Sequence, residues 1–335
     1  MTRPTVALAM VPLLTADVFA DSCKARLQAV ADVLDFEPLT TFTETRAQEL
    51  LPQVDILLTG WGCASIDAPV LERAARLKAI VHAAGTVKQH LTDACWERGL
   101  LITSAAAANA LPVAEYTLAA ILFANKRAFA MQRRYAEVRE FRWWPLEFPG
   151  LGNYAKVVGI VGASFVGRRV IELLKPFDFE IVVFDPFLSP ADAGALGARK
   201  VELDELMRIS DIVSLHAPAL PQTHEMINRE LLALMKKDAT FINTARGWIV
   251  DGAALTDELV SGRIYAVIDT TEPEILPPDS PLYDLPNVFL TPHIAGAMGT
   301  ETQRLGDLAV DEIERYARGE PFRYSIRRED LPRLA

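Results

Sequence analysis

Cysteine is scarce in this chain. Cys23, Cys63 and Cys95 stand far apart and none forms a C-x-x-C pair, so neither a disulfide framework nor a zinc site can be built from their spacing. Such usage fits a reducing compartment and gives the expectation of a cytoplasmic protein. Positive charge is in deficit too. The 34 Lys and Arg residues face 44 Asp and Glu, a net charge of −10. Nucleic acid binding needs clustered cations, so no nucleic-acid partner is expected. The densest basic stretch, Lys126-Arg127 followed by Arg133-Arg134, reads as the solvated end of a helix. Long apolar runs are missing as well. The longest candidate, Tyr116–Ala124, gives way to Asn125-Lys126-Arg127, short of the roughly 20 residues of a membrane span. No membrane partner is expected. Repeats and low-complexity tracts are absent.

At the N-terminus, Arg3, the apolar stretch from Thr5 to Leu14 and Val18-Phe19-Ala20 loosely imitate a secretion signal. Pro12 and Asp17 sit badly in one. The reading preferred here is a buried first strand, Thr5–Met10.

What is present is hydrophobic content, half of the 335 residues, enough for two domains with their own cores. Short apolar runs at Thr5–Met10, Val54–Leu58, Lys78–Val81 and Leu101–Thr103 alternate with helix-like segments at Ser22–Val33, Thr45–Leu51, Ala68–Ala75 and Lys88–Arg98. That alternation points to a parallel sheet covered on both faces. A long helical pattern from Pro112 to Val138 follows, with Pro112 expected in its first turn. The aromatic-rich piece Phe141–Tyr154 reads as an irregular crossover. A second alternation opens at Ala155. Its strands are expected at Val157–Val161, Ile181–Phe184, Ile212–Leu215, Thr240–Ile242, Ala266–Ile268 and Val288–Leu290. Helices fit Phe165–Leu174, Val201–Arg208, Arg229–Leu234 and Ala253–Ser261, and a last one runs from Glu301 to Ala317.

Two kinds of chemistry stand out. Gly162-x-Ser164-x-x-Gly167 follows a strand and opens a helix, in the pattern of a dinucleotide-binding turn. The first glycine permits the tight turn and the third permits close helix–sheet packing. Ser164 stands where a glycine is usual, and serves if its φ stays negative. The helix N-terminus, beginning at Phe165 and Val166, offers amide donors to a pyrophosphate. Asp185 ends the next strand 23 residues after Gly162 and is followed by Pro186, not by arginine. A carboxylate there accepts from ribose hydroxyls and repels a 2′-phosphate, which favours NAD over NADP. Further on lie Asn243-Thr244-Ala245-Arg246-Gly247, then Asp269-Thr270-Thr271-Glu272-Pro273, then Thr291-Pro292-His293-Ile294-Ala295-Gly296. They supply a cation that can hold a carboxylate, a histidine that can pass a proton, and acids able to orient that histidine.

Together with Leu215-His216-Ala217-Pro218 and Ala105–Glu115, these motifs resemble the D-isomer-specific 2-hydroxyacid dehydrogenases over nearly the whole length. The resemblance implies an α/β fold of two doubly wound parallel-sheet domains. A Rossmann cofactor domain, 108–296, would be inserted into a flavodoxin-like substrate domain made of 1–107 and 297–335, with the substrate in a cleft between them. It implies NAD as cofactor, a small 2-oxo or 2-hydroxy acid as substrate, no metal, and a homodimer formed through the helices after Pro112. Arg246 would bind the substrate carboxylate and 2-oxo group. His293 would be the general acid and base, and Glu272 would hold it. Asp269 would lie near the nicotinamide carboxamide. Gly162, Ser164, Phe165, Val166, Gly167, Asp185, Pro186, His216, Ala217, Pro218, Thr223, Thr244, Ala245, Arg246, Asp269, His293 and Gly296 would line the cofactor. Gly85, Thr86, Val87 and Lys88 would form the substrate loop, whose amides meet the carboxylate. Lys88 adds a cation there, read either as a partner for a second anionic group or as an exposed lysine in the first turn of a helix. His82, His90 and His224 receive no role. Trp61, Trp143 and Trp144 are candidates for a pocket wall or a subunit interface. The alternatives are a non-catalytic dinucleotide-sensing regulator of the same fold, or a formate or phosphite dehydrogenase on a similar scaffold. A missing extra tail and the order Glu272, His293 weigh against them.

Overall fold

The structure is a computed structural model and describes residues 3–333. The chain divides into two compact units. Within the described residues, one comprises 3–109 and 297–333, and the other runs from Ala110 to Gly296. The first boundary therefore falls two residues beyond the expected one.

The first unit holds a five-stranded, all-parallel sheet. In chain order its strands are β1 (Thr5–Ala9), β2 (Asp32–Val33), β3 (Ile56–Thr59), β4 (Ala79–His82) and β5 (Leu101–Ser104), arranged β2-β1-β3-β4-β5. The flavodoxin-like order follows from right-handed crossovers that reverse direction once, beside β1. Both faces are covered, so the strands read as unbroken apolar runs. Val6 and Leu8 join one core cluster while Ala7 and Ala9 join another. The helix Gln303–Ala317 belongs here: Ala309, Val310 and Ile313 pack with Val6 and Leu8. A Cβ on Gly306 would press into the Val18 carbonyl, so glycine sets the distance between this helix and the helix Pro12–Val18.

The second unit holds seven parallel strands: β6 (Lys156–Val161), β7 (Phe179–Phe184), β8 (Arg199–Lys200), β9 (Ile212–Leu215), β10 (Thr240–Asn243), β11 (Tyr265–Ile268) and β12 (Val288–Leu290). Their order is β12-β11-β10-β9-β6-β7-β8. Direction reverses between β6 and β9, which makes that crevice the topological switch point. Val158 and Ile160 face one core, Val161 the other. The fold is the expected pair of doubly wound parallel sheets.

Three details differ from expectation. The two-residue edge strands β2 and β8 were not foreseen; β2 occupies what was expected to be the end of a helix, which stops at Val30. The helix of the Lys88–Arg98 region is confined to Asp93–Glu97. The long helix is two. The first spans Ala106–Asn125 with Pro112 inside it, and the second spans Ala128–Val138. Arg127 breaks them at φ 53°. Its guanidinium bonds the Ala124 and Asp238 carbonyls and Thr240 Oγ1, and lies 3.9 Å over the Tyr265 ring. Because that first helix starts ten residues earlier than the apolar run Tyr116–Ala124, it is long and apolar enough, by length and composition alone, to cross a bilayer. Its Ala114, Ala120, Ile121 and Ala124 are buried in the core with β6.

Candidate functional site

Nearly every candidate in the second unit lies just beyond the C-terminal end of a parallel strand. After β6, Gly162 adopts φ +98°, and a Cβ there would sit 2.7 Å from the Ala217 amide. The turn thus rests directly on the segment that follows β9. Gly167 packs so tightly that a Cβ would collide with the Gly162 carbonyl. Ser164 is the N-cap of the helix Phe165–Leu174 at φ −67°, and its Oγ accepts from the Gly167 amide at 3.4 Å. Negative φ removes the need for glycine there, and the hydroxyl serves its own helix. Phe165 and Pro186 are exposed.

Asp185 accepts the Ala163 amide at 2.8 Å with Oδ2 and the Phe187 amide at 2.8 Å with Oδ1. It ties the dinucleotide turn to the end of β7 and still has lone pairs for a ligand. His216 is buried. Burial pushes its pKa down to about 3, so the ring is neutral. Nε2 meets Ser214 Oγ at 2.9 Å, while Nδ1 is buried without a partner. That orphaned nitrogen next to Ala217 and the Gly162 turn fits a polar ligand group. Thr223 turns inward on its own loop: its Oγ1 donates to the Pro218 carbonyl at 2.6 Å and accepts the Leu220 amide. Thr244 Oγ1 is buried at 3.1 Å from Thr117 Oγ1.

The arginine turn is folded by Asn243, which sequence reasoning left without a role. Its Nδ2 donates to the Arg246 carbonyl and its Oδ1 accepts the Ala245 amide at 3.0 Å. An Asn at a strand end, bonding two residues onward, is an Asx turn, and that was the available signal. Arg246 is exposed and donates to the Ala245 carbonyl at 2.6 Å. Desolvation by the surrounding protein lowers its pKa, and the charge of Glu274 opposes that shift. Gly247 sets the next contact: a Cβ would overlap the Thr271–Glu272 peptide.

The histidine's partner corrects the sequence expectation. His293 Nδ1 lies 2.5 Å from Glu274 Oε1. Glu272, assigned that role from the sequence, is exposed, and its peptide is held under Gly247. The two acids are separated by one proline, and Thr271 Oγ1 holds the turn between them by donating to the Pro273 and Glu274 carbonyls at 2.8 and 3.0 Å. Asp269 is committed elsewhere. Its Oδ1 accepts Thr291 Oγ1 at 2.7 Å and the Ile294 amide at 2.8 Å, and its Oδ2 accepts the Ala295 amide at 2.9 Å. It builds the turn that carries His293 at φ 56° and that ends at Gly296, the last residue of the unit.

In the first unit, Gly85-Thr86-Val87-Lys88 follows β4, with Val87 buried and the Lys88 amide donating to Thr86 Oγ1 at 3.4 Å. Sequence reasoning passed over its flanks. His82 Nδ1 and His90 Nε2 lie 2.9 and 3.4 Å from the Thr59 hydroxyl, so one side chain clips both ends of the loop. Both histidines are buried, and desolvation lowers their pKa values, that of His90 to about 4. The His224 and Trp248 rings meet at a tilt of 57°, with their centroids 4.0 Å apart. Trp61 packs against Leu305, while Trp143 is exposed.

Residues 118–295 match the family model described as D-isomer specific 2-hydroxyacid dehydrogenase, NAD binding domain. A D-3-phosphoglycerate dehydrogenase from Methanocaldococcus jannaschii is 31% identical over 96% of this chain and 60% of its own length. A glyoxylate reductase from Korarchaeum cryptofilum is 33% identical over 76% of this chain and 77% of its own. Among solved structures, a D-lactate dehydrogenase from Treponema pallidum superposes with a TM-score of 0.74 at 27% identity, covering 96% of this chain and 99% of that one. The chain spans about half to three fifths of the length of the phosphoglycerate dehydrogenases it matches.

Proposed function

We propose that this chain, which belongs to the D-isomer-specific 2-hydroxyacid dehydrogenase family, is an NAD-dependent oxidoreductase acting on a small D-2-hydroxy acid and its 2-oxo acid. The observation that carries the reading is the Glu274–His293 pair with Arg246 within its electrostatic reach. Glu274 occupies Nδ1, which fixes the ring and leaves Nε2 as the nitrogen that exchanges a proton with substrate. Arg246 presents a planar fork to the substrate carboxylate and 2-oxo oxygen. When bound, NADH supplies the hydride. The Gly162–Gly167 turn, Asp185 and the His216–Pro218 segment would hold the dinucleotide, with Asp185 on its ribose. In reduction, Nε2 of His293 gives its proton to the carbonyl oxygen as that oxygen gains charge. In oxidation it takes the proton back, with Glu274 holding the imidazolium in place.

Phe123, Tyr135, Phe141, Trp143, Leu146 and Tyr154 are all exposed on the helical region after Pro112. They support a homodimer through that region, which sedimentation of the purified chain would test.

The direct test of the reaction is NADH oxidation with glyoxylate, hydroxypyruvate, pyruvate and phosphohydroxypyruvate. His293→Ala should lower kcat by at least about 10³-fold while NADH affinity stays within a few-fold. A variant that loses NADH binding instead would contradict the role given to His293. NADH binding with no turnover of any acid would favour the dinucleotide-sensing alternative.

A further inference from the structure

A hydroxyl chain reaches the histidine turn from the helix Ala106–Asn125. Tyr116 Oη lies 2.8 Å from Thr291 Oγ1, and Thr291 Oγ1 lies 2.7 Å from Asp269 Oδ1. The proton directions are forced. A carboxylate only accepts, so the single Thr291 hydroxyl proton goes to Asp269, and Tyr116 must donate to Thr291. Desolvation raises the Tyr116 pKa, which keeps the phenol a donor. Asp269 is buried and, among the described residues, is met by no Lys or Arg within ion-pair distance. Its charge is balanced by Thr291 and by the Ile294 and Ala295 amides, the two residues after His293. The Asp269 carbonyl accepts the His293 amide at 2.9 Å. Four bonds of the turn around His293 thus converge on Asp269; the His293 amide is shared with the Thr291 carbonyl at 3.1 Å, and the Thr291 amide donates to the Ile268 carbonyl. The turn needs such support, because a non-glycine residue at φ 56° is held in a sparsely populated conformation.

We propose that Tyr116 and Thr291 are positioning residues for His293, fixing through Asp269 the backbone turn that aims its imidazole. The inference rests on the acid–base role given to His293 above. Neither hydroxyl hydrogen-bonds the ring, whose Nδ1 is met by Glu274, so the hydrogen-bonded route to the turn is the carboxylate. Removing the Thr291 hydroxyl takes one of two bonds from Asp269 Oδ1 and strands the Tyr116 hydroxyl. Removing the Tyr116 hydroxyl leaves Thr291 still donating. The first loss is the larger, and the two are not independent.

The experiment compares Thr291→Val, Thr291→Ser, Tyr116→Phe and the Val/Phe double variant in the full chain. The acids are those of the panel above, and NADH affinity is read by fluorescence. Thr291→Val should lower kcat about tenfold and Tyr116→Phe a few-fold, with KM for NADH unchanged. Thr291→Ser should restore turnover to within about twofold, and Tyr116→Phe should add nothing on the Val background. The ring ¹⁵N shifts of His293 provide a readout independent of turnover, and should move in Thr291→Val and not in Thr291→Ser. Unchanged kcat and ring shifts in Thr291→Val, or fully additive losses, would overturn the proposal. His293→Ala is the control that separates the two claims. If that variant keeps its turnover the catalytic reading fails, and the ring shifts still decide whether the hydroxyl chain holds the imidazole.

Discussion

Gly247→Ala is the substitution that most sharply probes how Arg246 and the proposed acid–base pair, Glu274 and His293, are held together. The Arg246 turn lies on the Thr271–Glu272 peptide. A Cβ at Gly247 would come inside 3.0 Å of Thr271 C, Glu272 N and Thr271 O, all of them backbone. No flexible side chain can move aside. Carbon contacts relax at about 3.5–4.0 Å, so one of the two segments must shift by about 1 Å or more. One segment begins with Arg246. The other reaches Glu274 two residues later, and Glu274 holds His293 at 2.5 Å. Overpacking of this kind costs about 1–3 kcal/mol, a drop in Tm of some 2–4 °C per kcal/mol for a unit of this size. The catalytic cost is larger, because a misplacement of about 1 Å in a reacting group lowers rate by about 10²-fold. The assay is kcat/KM for the preferred 2-oxo acid, with NADH affinity and Tm measured on the same preparations. Gly252→Ala is the matched control: its Cβ would meet nothing nearer than the Glu272 carbonyl at 4.0 Å, and it opens the helix Gly252–Val260. Gly252→Ala should retain wild-type kcat/KM and Gly247→Ala should lose about two orders of magnitude. If the two variants were equally active, the packing argument would be refuted.

Three further outcomes are expected. Glu274→Gln should lower kcat by about 10–10²-fold, and Glu272→Gln should stay within about twofold; equal losses in the same NADH assay would restore the sequence assignment. Asp185→Ala should weaken NADH binding and narrow the preference for NADH over NADPH, and should also destabilise the second unit by about 1–2 kcal/mol, because the Ala163 and Phe187 amides lose their acceptor. The third outcome concerns pH. Above pH 6.5 the buried His216 ring is neutral in the folded and unfolded chain alike and adds no pH dependence. Below that value the unfolded ring binds a proton while the folded one, with a pKa of about 3, does not. Stability therefore falls as pH drops, by about 1.4 kcal/mol per unit from this residue. His90, with a pKa of about 4, and His82 act in the same direction on the first unit. Urea melts at pH 7.5 and 5.5 should show the loss, and His216→Gln should remove its share; an equally steep loss in that variant would refute the assignment.

The strands were legible because a parallel sheet covered on both faces demands apolar runs, and such runs punctuated by helical segments leave little else to build. β2 and β8 were not, since two residues at a sheet edge carry no period. The break at Arg127 is a tertiary event: Thr240, Asp238 and Tyr265 come from elements more than 110 residues away and collect its guanidinium. Arg246 and His293 could be named from motifs. The acid could not, since Glu272 and Glu274 offer the same group two residues apart and only the folded turn separates them, with Gly247 packed on the 271–272 peptide and Thr271 Oγ1 bonded to the Pro273 and Glu274 carbonyls. Likewise the eight-residue spacing of His82 and His90 says nothing about a shared hydroxyl at Thr59. The resemblance put Asp269 near the nicotinamide carboxamide; the bonds it makes, to Thr291, Ile294 and Ala295, are those of a turn cap.

The sheet order explains why these scattered motifs make one set. Because every strand of the second unit is parallel, the residues that follow them all emerge along one edge. Read across that edge from β12, they are His293, Asp269, the Arg246 turn, His216, the Gly162 turn and Asp185. The groups suited to proton transfer and carboxylate binding lie on the β10–β12 flank of the switch point, and the carboxylate suited to a ribose lies on the β7 flank. Strands about 4.8 Å apart put some 14 Å between the ends of β10 and β7. A compact ligand cannot touch both, whereas an elongated one lying over the Gly162 turn can, with its phosphates at the helix that starts at Phe165. In the proposed reading, the strand order would therefore separate the end of a dinucleotide that is recognised from the end that reacts. That separation requires Asp185→Ala to act on cofactor affinity and Glu274→Gln to act on kcat, each leaving the other quantity nearly unmoved.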